Sequence, residues 1–211
     1  ALRGTLLHAE RDIGRRSSVA ILLACSLATV LLERDEPDEA ATVLANRMDR
    51  VECLATPDAI VAGFVTAARL ATLQGQPHRC QDLLEALHAL GEEREIPRFC
   101  MVSLGEQIRL HAVQGRADTC QLLWRRLEEA IPPCFHDPDS LLGPELRLCA
   151  GIARAYTLLA QGNWEGVLSV TADIHELAGR MRCGRERVQA LLLKALALRE
   201  MGLDGEASLL E

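Results

Sequence analysis

Aromatic residues are almost missing from this chain: its 211 residues include two Trp, three Phe and one Tyr. A β-sandwich packs its sheets with aromatic and β-branched side chains. Their scarcity, beside an abundance of Ala and Leu, argues against that class and for helices packed through small side chains. Paired cysteine motifs are missing too. There are eight cysteines but no C-x-x-C, and most fall in helical apolar patterns, where a free thiol packs as a small hydrophobe. Such usage is expected of a reducing, cytoplasmic compartment. Positive charge is not in surplus. The net charge is −7, and an acidic surface repels a phosphate backbone, so direct contact with nucleic acid is not expected. A membrane-length apolar run is also lacking. The uninterrupted run from Val19 to Leu32 follows Arg15 and Arg16 as an export signal would, but its 14 residues, Ser26 and Thr29 included, are short for a spanning helix. It reads as a core helix, with no membrane contact.

What is present is a repeated interruption. "LQGQPHRCQDLL" (Leu73 to Leu84) places Gly75 and Pro77 inside an otherwise helical pattern, and "VQGRADTCQLLW" (Val113 to Trp124) repeats the break 40 residues later. Gly and Pro are the residues a helix interior tolerates least. With the turn residue as position zero, the series is Asp35, Gly75, Gly115, Gly162 and Gly202, spaced 40, 40, 47 and 40. Five positions after each stands Ala40, Cys80, Cys120, Val167 or Ala207, and seven before each stands Ala28, Ala68, Ile108, Ala155 or Ala195. Small residues let helix backbones approach, and Gly permits the left-handed conformation that ends a helix. Each break is therefore expected to join two antiparallel helices.

The prolines keep the same rhythm. Pro37, Pro57, Pro77 and Pro97 are 20 apart, as if each opened a helix, where its missing N–H costs nothing. In "TPDAIV", Thr56 is expected as an N-cap before Pro57. "IPPCFHDPDSLLGP", residues 131–144, holds the other four prolines and reads as a loop inserted between helices, which accounts for the 47-residue step. The expectation is all-α: about ten helices in five hairpins, forming one domain over residues 1–211. The first helix, Leu2 to Ile13, lacks its partner and the last begins near Leu203. A period of this size predicts a right-handed superhelical solenoid. The start at Ala1 and the end at "GEASLLE" read as those of a fragment.

Several constellations resemble chemical sites and are read as packing or solvated surface. "IHELAG" opens like the zinc-peptidase signature, but Gly179 occupies the place of the second histidine, leaving His175 as a helix-surface residue. Cys134, His136, Asp137 and Asp139 cluster in the inserted loop, with only two of the usual structural-zinc ligand types among them. Arg180, Arg182, Arg185 and Arg187 fall at an inter-hairpin turn, where solvated charge is expected. Cys80 and Cys120 hold equivalent packing positions. No catalytic set, metal or cofactor is expected.

Stacked hairpins curve, and the first helix of each lines the inner surface. The residue six before each turn, Thr29, Arg69, Arg109, Tyr156 or Leu196, is expected to face that surface. Arg69 and Arg109, one repeat apart, suit a carboxylate, phosphate or acidic peptide, and Tyr156 adds a flat amphipathic face. These three are the candidate ligand-binding residues.

The turn glycine followed five residues later by a small residue, in "LLAQGNWEGVLSV" and "LREMGLDGEASLL", resembles the tetratricopeptide repeat, although the period of 40 exceeds the usual 34. The longer Ala-, Leu- and Arg-rich helices of "ARAYTLLAQGNWEGVLSVTADI" and "RVQALLLKALALREMGLDGEA" resemble the helical sensor region of bacterial, ATP-dependent LuxR-family transcriptional activators of the MalT type. That resemblance implies an arm that binds a small inducer or a protein and relays it to NTPase and helix-turn-helix modules of the same polypeptide. Neither a G-x-x-x-x-G-K-[ST] loop nor a basic recognition helix is evident here. Self-association is a further expectation. The alternative is a stand-alone helical scaffold for a peptide or protein partner.

Overall fold

The computed structural model describes residues 1–137 and 139–203, with the backbone alone at Leu54. Among these residues the secondary structure is entirely helical. The α-helices are α1 (Leu2–Ile13), α2 (Ser18–Glu33), α3 (Pro37–Leu44), α4 (Met48–Leu54), α5 (Pro57–Leu73), α6 (Pro77–Glu93), α7 (Pro97–Val113), α8 (Ala117–Glu129), α9 (Gly143–Ala160), α10 (Trp164–Met181) and α11 (Gly184–Glu200). A short 3-10 turn covers Pro133–Phe135. None of the described helices is long and apolar enough to cross a membrane.

The backbone constraints written in the sequence are realised almost one for one. Pro37, Pro57, Pro77 and Pro97 each open a helix. All five turn positions are left-handed, with φ of 61° at Asp35 and 67°, 69°, 68° and 77° at Gly75, Gly115, Gly162 and Gly202. Each carries the same pair of closing hydrogen bonds. At Gly75 its N–H reaches Thr72 O at 3.1 Å, and the Gln76 N–H reaches Ala71 O at 2.8 Å. The equivalent bonds recur at the other four turns. This is the Schellman arrangement, which satisfies helix-end carbonyls while reversing the chain.

Packing follows the small residues. Ala40, Cys80, Cys120 and Val167 are buried, as are Ala28, Ala68, Ile108, Ala155 and Ala195. Ala207, and the helix expected beyond Leu203, lie outside the described residues. Thr56 occupies the N-cap place before Pro57, but its side chain makes no capping hydrogen bond. Functional caps stand elsewhere: Ser17 accepts from Ala20 N at the start of α2, and Asn163 from Gly166 N at the start of α10.

The chain forms two compact units, Ala1–Arg94 and Glu95–Glu211. In the first, α2 packs against α1, α3, α4 and α5, and α5 against α6. Gly63 on α5 makes the close approach possible. A Cβ there would lie 3.0 Å from Cys25 Sγ and 3.1 Å from Val51 Cγ1. The helix expected to run on from Pro37 is broken after Leu44, with Asn46 left-handed at φ 58°, before α4 resumes. Arg47 fills the break. It is 3% exposed, donates from Nη1 to Arg15 O at 2.9 Å and pairs through Nη2 with Glu10. The arginines that mimicked an export signal thus belong to a docked loop, since Arg16 also pairs with Asp49 at the start of α4.

In the second unit, α9 is central and packs against α7, α8, α10 and α11. One buried cluster joins α7, α8 and α9 around Ile108, Leu127 and Leu146; another joins α9, α10 and α11 around Leu158, Ile174 and Leu193. The insertion ends two residues before its expected limit, because α9 begins at Gly143. It folds onto that helix start: Arg147 Nη1 donates to Phe135 O at 2.6 Å. Gly143 sits where a Cβ would fall 2.9 Å from Cys134 O.

Candidate functional site

The residues expected to line one surface are distributed over both units. Arg69 lies on α5 of the first unit, half-buried, while Arg109 on α7 and Tyr156 on α9 belong to the second. Arg109 Nε donates to Glu106 Oε2 at 3.0 Å, so its charge is compensated within α7. The Tyr156 hydroxyl accepts from Gln189 Nε2 on α11 at 3.2 Å. In the first unit the equivalent Thr29 bonds Thr66 on α5, oxygen to oxygen, at 2.9 Å. Thr29 and Tyr156, six before their turns, therefore stand at seams between successive first helices and are partnered there. Two carboxylates colour the α7–α9 seam. Arg98 Nη2 pairs with Glu145 at 2.6 Å. Burial first, then Glu106 and Glu145, push the neighbouring Cys149 thiol up to about 12, against the opposing pull of Arg98.

A cleft of the second unit lies elsewhere. It has a volume of about 470 Å3, within the roughly 300–1,000 Å3 typical of small-ligand sites. Its floor is one face of α9, where Arg147, Ala150, Gly151 and Arg154 follow helical spacing i, i+3, i+4, i+7. One wall is α10, through Val170, Asp173, Ile174 and Leu177, again at helical spacing. The other is Trp124 of α8 with Phe135 of the inserted loop. Gly151 lets the floor meet α10, since a Cβ there would lie 2.9 Å from Ile174 Cγ1.

The electrostatics of this cleft centre on Arg154. Its guanidinium carbon stands 5.2 Å from the Trp124 ring centroid, a cation–π geometry that holds the planar fork in place. Among the described residues no carboxylate pairs with Arg154. Arg147 commits one nitrogen to the Phe135 carbonyl, and a guanidinium has five N–H donors. The cleft thus offers oriented cationic donors beside apolar and aromatic walls, with Asp173 on the α10 side. Arg180, at its edge, is drawn 3.8 Å from Glu176 on the same helix.

Sequence reasoning located the insertion but not Trp124, Arg147 or Arg154. The signal available was the long step between turns combined with two arginines seven apart on one helix. In the loop cluster, Asp137 Oδ1 accepts from Asp139 N at 2.9 Å, and Phe135 packs edge-on to His136. Among the described residues no three metal-ligating side chains come together. His175 is half-buried on α10 rather than on the surface, with Nδ1 enclosed and without a hydrogen-bond partner among the described residues. Arg180, Arg182, Arg185 and Arg187 are exposed around the turn between α10 and α11, where Arg182 takes the left-handed position at φ 58°. Cys80 and Cys120 are buried. No protein-family model matches this chain, and no curated protein matches it.

Proposed function

We propose that this chain is a ligand-binding helical-repeat domain, the sensor region of an ATP-dependent LuxR-family regulator, and that its effector occupies the cleft between α8, α9 and α10. The observation that carries the reading is the Arg154 guanidinium stacked on Trp124, with no carboxylate partner among the described residues, at the floor of an apolar cleft. Five turns of identical geometry and the buried small residues around them support a tetratricopeptide-like superhelix as the scaffold. The ligand class that suits the cleft is a small molecule or short peptide with one anionic group and an apolar or ring-shaped body. The anion meets Arg154 and Arg147, and the body lies against Trp124, Phe135 and Leu177. Binding, not bond-making, is the role assigned, in a reducing bacterial cytoplasm.

The test starts with a thermal-shift screen of sugars, carboxylic acids and short peptides. A charged hydrogen bond is worth about 1.5–3 kcal/mol. Arg154→Ala should therefore weaken binding of a hit by roughly tenfold to a hundredfold, and Trp124→Ala by a comparable factor. The Arg69→Ala, Arg109→Ala double variant should bind unchanged. The reverse pattern would move the site to the seams around Arg109 and Tyr156. The regulator assignment has its own test: the reading frame is expected to encode a phosphate-binding loop upstream and a helix-turn-helix downstream, and their absence would leave the stand-alone scaffold.

A further inference from the structure

Two charges of opposite sign face the cleft between α8, α9 and α10 without an ionic partner among the described residues. One is Arg154 on α9, whose guanidinium carbon stands 5.2 Å from the Trp124 ring centroid. The other is Asp173 on the α10 wall, which is exposed and whose carboxylate has no hydrogen-bond or ion-pair partner among the described residues. The other charged lining residues each have an internal contact: Arg147 with Phe135 O at 2.6 Å, and Arg180 with Glu176 at 3.8 Å.

Opposite charges sharing an apolar cleft attract one another. Here the packing keeps them apart. Trp124 belongs to α8, across the floor from α10, so stacking draws the Arg154 guanidinium toward the α8 wall and away from Asp173. Along the cleft the two residues are nearly level. α9 and α10 run antiparallel from the turn at Gly162, and Gly151 lies against Ile174. From that contact, Arg154 lies further along α9 and Asp173 one step back along α10, which is the same direction. The axial offset between them is about 3 Å. Arg147 lies on the other side of the Gly151 contact, about 7.5 Å from the level of Asp173.

A cation and an anion carried on one carbon atom suit such a pair. Each residue inserted between the two charges of a peptide would spread them by up to about 3.3–3.6 Å, past the level of Asp173. Beyond Asp173 the cleft turns apolar, since Leu177 continues the α10 face by one turn and Phe135 stands at that end. We propose that the cleft takes a free α-amino acid with a large apolar side chain. Its carboxylate meets the Arg154 guanidinium, its ammonium donates to Asp173, and its side chain runs toward Leu177 and Phe135. Asp173 then sets specificity, by separating a zwitterion from a plain anion. The inference rests on the cleft reading given under the proposed function and narrows its ligand class.

Calorimetric titration of the 211-residue chain with L-phenylalanine and L-leucine tests it. Each is compared with its deaminated counterpart, 3-phenylpropanoate or 4-methylpentanoate, which keeps the carboxylate and the side chain. At least one amino acid should bind, and its counterpart should bind more weakly by roughly tenfold to a hundredfold, the worth of a charged hydrogen bond. That comparison needs no variant. Asp173→Asn should weaken the amino acid by a similar factor and leave the deaminated acid unchanged, with helical circular dichroism preserved because the side chain is exposed. Arg154→Ala should weaken both. A deaminated acid that binds as tightly as its amino acid, or an amino acid indifferent to Asp173→Asn, overturns the inference. The cleft survives as an anion site in that case if Arg154→Ala still weakens binding. Binding indifferent to both substitutions removes the cleft reading as well. Failure of all four compounds to bind also overturns the inference, and the effect of Arg154→Ala on hits from the wider screen then decides the cleft reading by itself.

Discussion

Each unit breaks the helical rhythm once, and the two breaks are held by the same chemistry at different depths. In the first unit residues 45–47 interrupt the second helix of a hairpin; in the second, the insertion after α8 lengthens a connection. Irregular backbone leaves carbonyls without ladder partners, and in both places an arginine supplies the donor. Arg47 donates to Arg15 O at 2.9 Å, and Arg147 to Phe135 O at 2.6 Å. The difference lies in what surrounds the charge. Arg47 is 3% exposed and neutralised by Glu10, so its guanidinium is consumed by structure. Arg147 is half-buried on the floor of a cleft, with donors left over. The same residue type closes a core in one unit and equips a binding surface in the other.

The strongest way to break this comparison is Arg47→Ala. Removing one partner of a buried ion pair leaves the other uncompensated and costs about 3–5 kcal/mol. For a chain of this length each kcal/mol moves the melting midpoint by about 2–4 °C, so the first unit should melt markedly earlier, by calorimetry or hydrogen exchange at α1 and α4. A loss confined to a degree or two would mean that Arg47 does not hold the break.

Gly151→Ala probes the other unit. The added Cβ has to displace Ile174 at the α9–α10 contact, and overpacking of this kind costs about 1–3 kcal/mol. Because Gly151 lines the cleft floor, ligand affinity should fall along with stability. Arg147→Ala should cost less, about 1.5 kcal/mol for a charged hydrogen bond to one carbonyl, and still lower affinity in the cleft. If Arg147→Ala destabilises as much as Arg47→Ala, the contrast between a structural and a ligand-facing guanidinium fails.

The two breaks also differ in how far the sequence announces them. Turn glycines and helix-opening prolines are local backbone constraints, so the hairpin boundaries could be read directly, and the 47-residue step exposed the insertion. The 45–47 break leaves no such trace: Pro37 and Pro57 keep their 20-residue spacing, and the feature that stabilises it, Arg47, finds Glu10 and Arg15 more than thirty residues earlier. The cleft was hidden for a similar reason. Trp124, Phe135 and Arg154 come from three elements, and only packing brings an indole under a guanidinium. Position 6 before the turn was identified as special, but its role at the seams, shown by Thr29 with Thr66 and Tyr156 with Gln189, depends on which neighbour each first helix meets.

The smallest expected effect concerns the turn both units share. Asp35 adopts φ 61° where the other four turns have glycine, and the closing bonds from Asp35 N to Leu32 O at 3.2 Å and from Glu36 N to Leu31 O at 2.9 Å are those of the glycine turns. A side chain in the left-handed region costs roughly 1–2 kcal/mol, less for Asp than for most. Glycine removes that strain but adds about 0.5–1 kcal/mol of backbone entropy to be lost on folding. Asp35→Gly should therefore stabilise the first unit by less than about 1 kcal/mol. Gly162→Ala, at φ 68°, should destabilise the second by about 1 kcal/mol, since alanine brings the strain without the local hydrogen bonding that Asp has. Denaturant midpoints measured for both variants at unchanged m-value check the pair. Equal and opposite shifts would mean that the two turns are one device with interchangeable residues. A destabilising Asp35→Gly would show instead that the Asp35 carboxylate makes a contribution its backbone conformation does not explain.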